Sequence, residues 1–596
     1  MKTIKLPILQ ALVLLVSMGA TAQLVNSNAA LATAITNAGP GTTITLADGV
    51  WTDTFVNIKK TATAENPIII KAQTPGQVFF EGNSRVAMGG AYITFQGVVF
   101  RNPSNLVATT TTLEPVVKFR YDSSNTCSNC TLTNVKIDAY NGTAAQSATT
   151  TLVYKWVLLY GQYNEISYCS FTGKNGIGST INDNRDVTTA NYTKIHHNYF
   201  GDRTFVGTYV DQNNDQDAIR IGNSSTSLSD SYTEVYENLF SNWFGEIEVI
   251  SNKSCKNKYY NNTFKNYSGS LTLRHGNDCE VYGNYFLADN NLFSGGIRVL
   301  GENHKIYNNY IENVNATKSA AAGNGTSSNL GGINLIGGIA TSVNGANLSG
   351  YYQVKNITIT NNTFVNVDSG LRLGGGSYTL PALGMVAANN IFIMPTSASK
   401  AVDEIRPADA SSAYTYTGNM KQSGTWPSNI TASGNLTFTS GLLSAGADMY
   451  RLPSSSPAID AGSGSYSFLT KDILDGARPT LFDVGAEEFG AGGTRVPYKV
   501  ADVGVKIGFG ASSNLAVVSN NIKSSALLLY PIPVQDGFLN ISFGDSIVGK
   551  VQIIDAQGKV VKDIFIGSTA DRIDISALPK GVYVLKAGTA TKLFVK

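Results

Sequence analysis

A short alternation of apolar and polar residues recurs through the middle of this 596-residue chain and ends each time in a large apolar residue. In the segment Lys258-Tyr-Tyr-Asn-Asn-Thr-Phe264, as in most copies, one or two Asn residues stand just before that end. An earlier copy, Glu165–Phe171, lacks the Asn. The final residues of the copies are Phe171, Phe200, Phe240, Phe264, Phe286, Ile311 and Phe364. Four of the six steps between them span 22 to 29 residues, which indicates a structural repeat.

A repeat of this length with short alternating strands predicts a solenoid of stacked coils, and we interpret it as a parallel β-helix. The Asn residues fall where each coil must turn, because Asn tolerates left-handed backbone and hydrogen-bonds its own turn. Stacked Asn side chains can then form a ladder from coil to coil. This ladder explains the many Asn-x-Thr/Ser triplets without glycosylation.

The two ends of the repeat have different patterns. Residues 27–38 predict a helix with one apolar face that covers the open end of the solenoid, and Gly39-Pro40-Gly41 ends it. The repeat weakens after about residue 395, and residues 491–524 are rich in Gly, Ser and Asn, which predicts a linker. We therefore expect a β-helix domain over 23–490.

The N-terminal residues 1–22 have the pattern of a cleaved secretory signal. Lys2 and Lys5 precede a short apolar run from Ile8 to Val16, and small residues precede a cut ahead of Gln23. The run is too short to span a membrane comfortably, and no later segment is long and apolar enough to do so. The sequence therefore predicts a secreted or cell-surface protein that is exported through the periplasm.

Residues 525–596 carry short strands and turn signals that predict a small β-sandwich. This segment resembles the C-terminal sorting domain of the bacterial type IX secretion system. The residues that match are Tyr530, Pro531, Pro533, Leu578, Gly581, Tyr583 and Lys596. The family usually has Asn between the two prolines, where this chain has Ile532. The resemblance implies the type IX secretion machinery as a partner; the alternative is a carbohydrate-binding or adhesive module.

Composition excludes some functions. Charged residues make up 14% of the chain and the net charge is +2, so no electrostatic footprint for nucleic acid is present. Five Cys residues form an odd and sparse set. Cys127 and Cys130 make a single C-x-x-C, which is weak evidence for a metal or redox site. We interpret the Cys residues as small buried side chains or as one disulfide.

The densest chemistry lies between residues 246 and 298. Glu246 and Glu248 stand two residues apart, so on a strand both point to one face. Such a pair of carboxylates calls for a cation, and Ca²⁺ prefers carboxylate and amide oxygens. Asn214 on the preceding coil is the third candidate ligand, with Asp215 and Asp217 as rivals.

Cationic residues follow at the period of the repeat. Lys253 and Arg274 are 21 residues apart, about one coil, and Arg298 is one coil further along. Since neighbouring strands lie about 4.8 Å apart, these side chains can meet beside the carboxylates. A cation, a lysine and arginines on one face suit a polyanion of uronic acids. β-Elimination at a uronate needs a neutralised carboxylate, a base and a group that assists the departing oxygen.

The segment resembles polysaccharide lyase family 6, the alginate lyase and chondroitinase B family. The match covers roughly residues 23–490 and rests on Asn214 six residues before Arg220, Glu246-x-Glu248, Ser251-x-Lys253-Ser254 and Leu273-Arg-His-Gly276. The resemblance implies a right-handed parallel β-helix. It implies that Asn214, Glu246 and Glu248 are Ca²⁺ ligands. It implies that Lys253 is the catalytic base and Arg274 the catalytic acid, and that Arg298, His275 and Arg220 contact the substrate.

Several alternatives remain open at this stage. The two glutamates can simply balance Lys253 and Arg274, and Arg298 can form a structural ion pair. The leading hypothesis is a secreted alginate lyase. A dermatan-sulfate or chondroitin-type lyase uses the same chemistry and is the second candidate. A β-helix adhesin that binds glycans without catalysis is the third.

Overall fold

The structure is a computed structural model and describes residues 22–207, 214–315, 330–345, 347–409, 412–430, 434–506, 508–510 and most of 527–596. Residues 1–21 of the predicted signal, and residues 507 and 511–524 of the predicted linker, lie outside these residues. The chain divides into two compact units, residues 1–512 and 513–596.

The larger unit is a parallel β-helix, as the repeat predicts. One face is a parallel sheet of 14 short strands among the described residues. These strands are Ala22–Val25, Thr43–Leu46, Ile68–Ala72, Ile93–Gln96, Thr131–Thr133, Glu165–Ser167, Lys194–His196, Glu234–Tyr236, Lys258–Tyr260, Glu280–Tyr282, Lys305–Tyr307, Thr358–Thr360, Val386–Ala388 and Thr415–Thr417.

The remaining walls of the β-helix form a second, continuous sheet of 27 described strands, almost all parallel. They are Gly49–Thr52, Phe55–Thr61, Val78–Gly82, Arg85–Ala91, Val98–Pro103, Val117–Lys118, Arg120–Asp122, Asn125–Ser128, Lys136–Asp138, Val157–Leu159, Gly161–Gln162, Ser170–Thr172, Ile181–Asp183, Tyr199–Arg203, Ile219–Ile221, Leu239–Lys253, Thr263–His275, Tyr285–Leu287, Ser294–Val299, Tyr310–Glu312, Ile333–Ile336, Thr363–Val365, Ser369–Gly375, Ile391–Ile393, Lys400–Glu404, Met420–Gln422 and Leu436–Phe438.

The register of the strands confirms the predicted repeat. The final apolar residues of the copies are direct neighbours across the sheet, from Phe171 through Phe200 and Phe240 to Phe364. The rings of Phe240 and Phe264 stack with centroids 4.7 Å apart, inside a core of fully buried side chains. Each coil therefore buries its apolar residues directly on those of the next coil.

A ladder of buried Asn side chains runs along one turn of the coils, also as predicted. Each Asn donates to the amide oxygen of the next, as Asn238 does to Asn262 at 3.0 Å. The members joined in this way, which we call the Asn ladder, are Asn198, Asn238, Asn262, Asn284, Asn309, Asn362, Asn390, Asn419 and Asn435. The residue before each ladder Asn takes the left-handed backbone, for example Asn261 with φ 57°. In the Asn-Asn pairs, the first Asn makes the turn and the second joins the ladder.

The N-terminal end of the solenoid is covered by a helix. Helix Asn28–Asn37 begins after Ser27, whose hydroxyl accepts from the Ala30 amide, and buries Leu31, Ala34 and Ile35. A second short helix is Ala144–Ala148, and short 3₁₀ helices are Ser224–Thr226, Ala340–Gly345 and Val500–Asp502. Two-residue strand pairs are Thr112–Leu113 with Val153–Tyr154 and Ser444–Ala445 with Tyr450–Arg451.

The chain after the last coil runs back along the outside of the β-helix. The Tyr498 amide donates to Thr263, the Gly504 amide to the His197 carbonyl, and the Gly510 amide to the Pro75 carbonyl. We call residues 495–510 the strap. Its contacts run from the middle coils to the first ones, although its composition predicts a linker.

The smaller unit has an antiparallel sheet of three strands and one of four among the described residues, in keeping with the predicted β-sandwich. Its strands are Leu527–Tyr530, Phe538–Phe543 and Ala570–Asp574, then Gly549–Asp555, Val560–Ile566, Val582–Ala587 and Ala590–Val595. It has a core of its own, with Leu539, Ile553 and Phe594 fully buried.

The five Cys residues fit both interpretations made from the sequence, one disulfide and small buried side chains. Cys127 and Cys130 form a disulfide, while Cys169, Cys255 and Cys279 are buried thiols. None of the described helices has the length and apolar character needed to cross a membrane.

Candidate active site

All eight residues that the sequence singles out line one cavity of about 490 Å³ on the wall of the β-helix. The cavity lies over the parallel strands Ile219–Ile221, Leu239–Lys253, Thr263–His275 and Ser294–Val299. The residues brought together are Asn214, Arg220, Glu246, Glu248, Lys253, Arg274, His275 and Arg298. Stacking of coils therefore converts sequence distances of up to 84 positions into one surface.

Two strands are irregular where they form this cavity. Phe244 lies opposite Ser268 and Glu248 opposite Ser270, so strand Leu239–Lys253 carries extra residues around Glu246. A β-bulge of this kind re-aims side chains. As a result Ile247 lines the cavity as well as Glu246 and Glu248, which simple strand alternation does not predict.

A further bulge places the two residues with predicted catalytic roles. Asn252 lies opposite Leu273, and Lys253 lies opposite His275, so Arg274 is the extra residue on its strand. Lys253 and Arg274 therefore do not occupy matching positions of the ladder, although both line the cavity. The bulge turns Arg274 out of the regular alternation and toward the same space as Lys253.

Three carboxylates are buried in the floor of the cavity region. Glu246 and Glu248 are 7% and 8% exposed, and Asp217 is fully buried. Burial, followed by the charges of Asp217 and Glu248, raises the pKa of Glu246 well above its ordinary value. Burial also raises the pKa of Asp217. Burial therefore disfavours the charged forms of Glu246 and Asp217, and a bound cation would relieve this cost.

Glu248 differs from its neighbours because it has a direct cationic partner. The Arg298 guanidinium donates to Oε1 of Glu248 at 2.9 Å, and both side chains are buried. Burial opposes ionisation of Glu248, but the charges of Arg298, Lys253 and Arg274 outweigh it and lower its pKa. Arg298 is thus both a wall of the cavity and one half of a buried ion pair.

Arg220 is held by two aspartates. Its Nη2 atom lies 2.5 Å from Oδ1 of Asp215 and 2.6 Å from Oδ2 of Asp217. Burial works against the charge of Arg220, yet the two aspartates together raise its pKa. The structure therefore gives Asp215 and Asp217, the rival metal ligands of the sequence, a partner in Arg220.

Some oxygen atoms in this region keep free coordination capacity. Oδ1 of Asp217 is buried and has no hydrogen-bond partner. Oε1 of Glu246 accepts from the Gln216 amide at 3.0 Å, and the Asn214 side chain lines the cavity. These buried carboxylate oxygens, with an amide beside them, fit a hard divalent cation. Within the described part of the chain no three carboxylate, imidazole or thiol groups converge on a metal, and the predicted set contains only two carboxylates.

Arg274 and His275 are fixed by a loop from outside the repeat. Nη1 of Arg274 donates to the Gly350 carbonyl at 2.9 Å, and Nη2 donates to that of Ser349 at 3.3 Å. Nε2 of His275 lies 3.0 Å from the same Gly350 carbonyl. Burial, together with the adjacent Arg274 charge, lowers the pKa of His275 to about 3, so the ring is neutral at neutral pH.

Lys253 stands apart from these pairs. In the part of the chain that the structure describes, its ammonium has neither a hydrogen bond nor an ion pair, although it lines the cavity. Its side chain is half-buried. An amine that is accessible from the cavity and held by no internal partner can approach a bound ligand without first breaking a contact.

Sequence reasoning missed the aromatic part of the cavity. The Tyr351 ring lies 4.2 Å from the Arg274 guanidinium and 5.6 Å from that of Arg298, measured to the ring centroid. Its hydroxyl also lies 3.3 Å from Arg298 Nη2. Phe205, Phe293 and Leu330 add apolar surface. The Gly350-Tyr351-Tyr352 segment interrupts the repeat between two coils, and that interruption was the available signal.

Comparison with known families extends this description. The family profile described as Chondroitinase B matches residues 25–397, and the one described as Secretion system C-terminal sorting domain matches residues 528–596. A comparison with curated protein sequences gives no match.

Among solved structures, the PL6 family alginate lyase AlyGC is similar to this chain, with 28% identity and a TM-score of 0.63. The match covers 73% of this chain and 56% of that one, so this chain spans little more than half of that structure.

Two other solved structures show the shared fold. A mannuronic acid specific family 6 lyase from human gut microbiota is 24% identical, with a TM-score of 0.59, over 71% of this chain and 92% of its own. The PL6 family polysaccharide lyase Pedsa3628 from Pseudopedobacter saltans is 24% identical, with a TM-score of 0.58, over 81% and 99%. The chain therefore belongs to the chondroitinase B family of polysaccharide lyases and carries the type IX sorting domain that marks it for export to the cell surface or for secretion.

Proposed function

We propose that this protein is a secreted alginate lyase that cleaves its substrate by Ca²⁺-assisted β-elimination. The observation that carries the proposal is the convergence of all eight predicted residues on one cavity, where Lys253 alone among the charged ones has no internal partner in the described structure. Such a cavity, lined by cations and buried carboxylates, suits a chain of uronic acids.

The elimination needs a base for the proton on C5 of the uronate, and Lys253 is the proposed base. The neutral form of its amine is the form that accepts a proton. Because Lys253 has no internal hydrogen bond among the described residues, its lone pair is available to the substrate. We infer that Lys253 takes the C5 proton as the C4–O4 bond breaks.

The departing O4 gains negative charge, and Arg274 is the proposed group that assists it. Arg274 is half-buried, and the loop carbonyls of Ser349 and Gly350 orient its guanidinium. Burial lowers the pKa of Arg274, but a guanidinium remains charged at neutral pH. Its role is therefore stabilisation of the oxyanion, with the final proton taken from water.

Asn214, Glu246 and Glu248 are the residues that would hold Ca²⁺. Bound there, the ion would neutralise the substrate carboxylate and so make the C5 proton more acidic. Arg298, His275 and Arg220 are the proposed substrate contacts. His275 is neutral, so it can offer or accept a hydrogen bond but adds no charge.

Two uronic polymers compete as substrate. The solved alginate lyase AlyGC is similar to this chain. A sulfated polymer needs a surplus of positive charge. The four cations that line the cavity, Arg220, Lys253, Arg274 and Arg298, are matched in number by Asp215, Asp217, Glu246 and Glu248. The match to the Chondroitinase B profile supports a dermatan-sulfate or chondroitin-type lyase as the second candidate.

A substrate panel decides between them. Purified protein is incubated with alginate, dermatan sulfate, chondroitin sulfate and polygalacturonate, and the absorbance of the unsaturated product is followed. We expect product from alginate. Product from dermatan sulfate alone would replace alginate with the second candidate, and no product from any polymer would contradict lyase function.

A further inference from the structure

The catalytic cavity continues into a second cavity toward the N-terminal coils. This second cavity has a volume of about 330 Å³, and Asp215 lines both. Lys155 forms part of its wall. Backbone hydrogen bonds from Tyr154 to Ile177 and from Gly178 to Asp215 place Lys155 two coils before Asp215, about 10 Å along the axis.

Lys155 is a cation without a partner. Its side chain is half-buried, and among the described residues its ammonium forms no hydrogen bond or ion pair. The neighbouring charges are already matched, since Lys118 lies 3.0 Å from Glu114 and Arg220 lies 2.5 Å from Asp215. A charge that is partly removed from water without a counter-ion is unfavourable, and a bound anion would relieve it.

Electrostatics in the cleft agree with this view. Burial, followed by the charge of Arg220, lowers the pKa of Lys155, and Lys253 acts in the same direction. The charge of the proposed catalytic base, Lys253, therefore acts on Lys155, although Lys155 lies two coils before Asp215.

The remaining walls of the second cavity match one sugar ring. Leu113, Pro115, Val153 and Leu158 offer apolar surface, and Thr112 offers a hydroxyl. The Glu114 carboxylate also lines this wall and is paired with Lys118. A uronate residue has an apolar ring face, several hydroxyl groups and one carboxylate. Apolar contacts with one well-placed charge are the usual composition of a small-ligand site.

Among the described residues, the opposite end of the cleft offers no such cation. Arg372 lies on the same row of the sheet as Arg298, two strands further along. Its guanidinium is 3.3 Å from Asp403 and donates to the Leu330 carbonyl at 2.8 Å. Lys400 is also paired with Asp403, at 2.7 Å. The asymmetry indicates that the binding surface extends toward the N-terminal coils.

We propose that Lys155 binds the carboxylate of a second uronate residue of the substrate chain, in a subsite beside the catalytic cavity. The inference rests on the proposed function and deepens it. Lys155 is a positioning residue here, because it contacts substrate away from the bond that breaks. It should therefore govern how much an added sugar unit improves binding.

The test compares Lys155→Ala with wild type on purified uronate oligosaccharides of increasing length. We expect KM for long oligosaccharides to rise about tenfold, with kcat nearly unchanged and with KM for the shortest cleaved oligosaccharide unaffected. Lys155→Arg should restore most of the affinity, since it keeps the charge. Lys136→Ala is the matched control, because Lys136 lies one coil earlier and is paired with Asp138 at 2.9 Å.

The outcomes separate the two proposals. An unchanged KM in Lys155→Ala, in an active enzyme, overturns the subsite alone. An equal rise of KM for short and long substrates also overturns it, because a structural defect acts on every substrate. If wild type cleaves no uronic polymer, the proposed function fails and the subsite fails with it.

Discussion

The strand Leu239–Lys253 connects two regions of opposite character. It begins at the Asn ladder, where the backbone and side-chain amides of Asn238 both donate to Oδ1 of Asn262. It ends in the cleft, where bulges interrupt the register and buried atoms such as Asp217 Oδ1 and Arg298 Nε have no partner. At the ladder, polar groups are hydrogen-bonded within the protein, whereas at the cleft some of them have no protein partner and can bind a ligand. Residues that stabilise the fold and residues of the candidate active site therefore lie at opposite ends of a single strand.

The largest effect expected at the cleft edge comes from Lys253→Ala. Loss of a general base lowers kcat by about 10²–10⁴-fold, while the melting temperature stays near that of wild type because Lys253 has no internal partner among the described residues. Steady-state kinetics and thermal unfolding measure the two. Lys265→Ala is the control, since Lys265 is an exposed lysine on the next strand. Substantial residual turnover would assign the base to another residue.

Metal removal tests the buried carboxylates. We expect a chelator to suppress activity by at least about tenfold and Ca²⁺ to restore it, because coordination depends on Glu246 and Glu248. Glu246→Gln should need a higher Ca²⁺ concentration for the same activity, measured by titration. The control is Glu280→Gln, since Glu280 lies on another face beside Lys305. Full activity in chelator would contradict a metal role.

At the ladder edge, substitution should change stability and leave catalysis intact. Asn262 donates to the Val235 carbonyl and to Asn284, and it accepts from Asn238. Asn262→Ala leaves these buried groups unsatisfied and should lower the free energy of unfolding by about 3 kcal/mol. Urea unfolding measures this loss. The exposed Asn57 serves as control, with an expected change within about 0.5 kcal/mol for Asn57→Ala. Equal losses would contradict the special role of the ladder.

The smallest expected effect is on the pH dependence of the free energy of unfolding at acidic pH. Burial is the main cause that lowers the pKa of His275 to about 3, below its ordinary unfolded value of about 6.5. Since the unfolded state binds the proton more readily, the contribution of His275 is fully present above about pH 6.5 and is lost as pH falls toward 3. In His275→Gln, the free energy of unfolding should depend less on pH between 6.5 and 4. An identical pH dependence in both proteins would contradict a buried neutral ring.

Much of the fold was predictable because the repeat encodes its own register. Phe240, Phe264 and Phe286 are neighbours in space at the positions that their spacing predicts. The convergence of the site residues followed from the same period. The bulge at Arg274 was not predictable, since an extra residue in one strand leaves no mark on the hydrophobic pattern.

The contribution of Tyr351 was also hidden from the sequence. Tyr351 lies in a segment between coils that folds back over the cleft. The period of the repeat does not predict the position of such a segment. For Arg298, the sequence offered a structural ion pair only as the alternative to substrate binding, and the structure pairs Arg298 with Glu248. Spacing along the chain does not show whether an arginine binds a carboxylate of the protein or one of the substrate.

The strap has a consequence for how the β-helix unfolds. In a solenoid each coil contacts only its neighbours, so coils can open independently from the ends. The strap ties Pro75, His197 and Thr263 to one continuous segment. A frayed terminal coil must then detach the strap as well, which couples distant coils into one cooperative unit. We therefore expect the coils between Pro75 and Thr263 to unfold more cooperatively than the coils of a linear array.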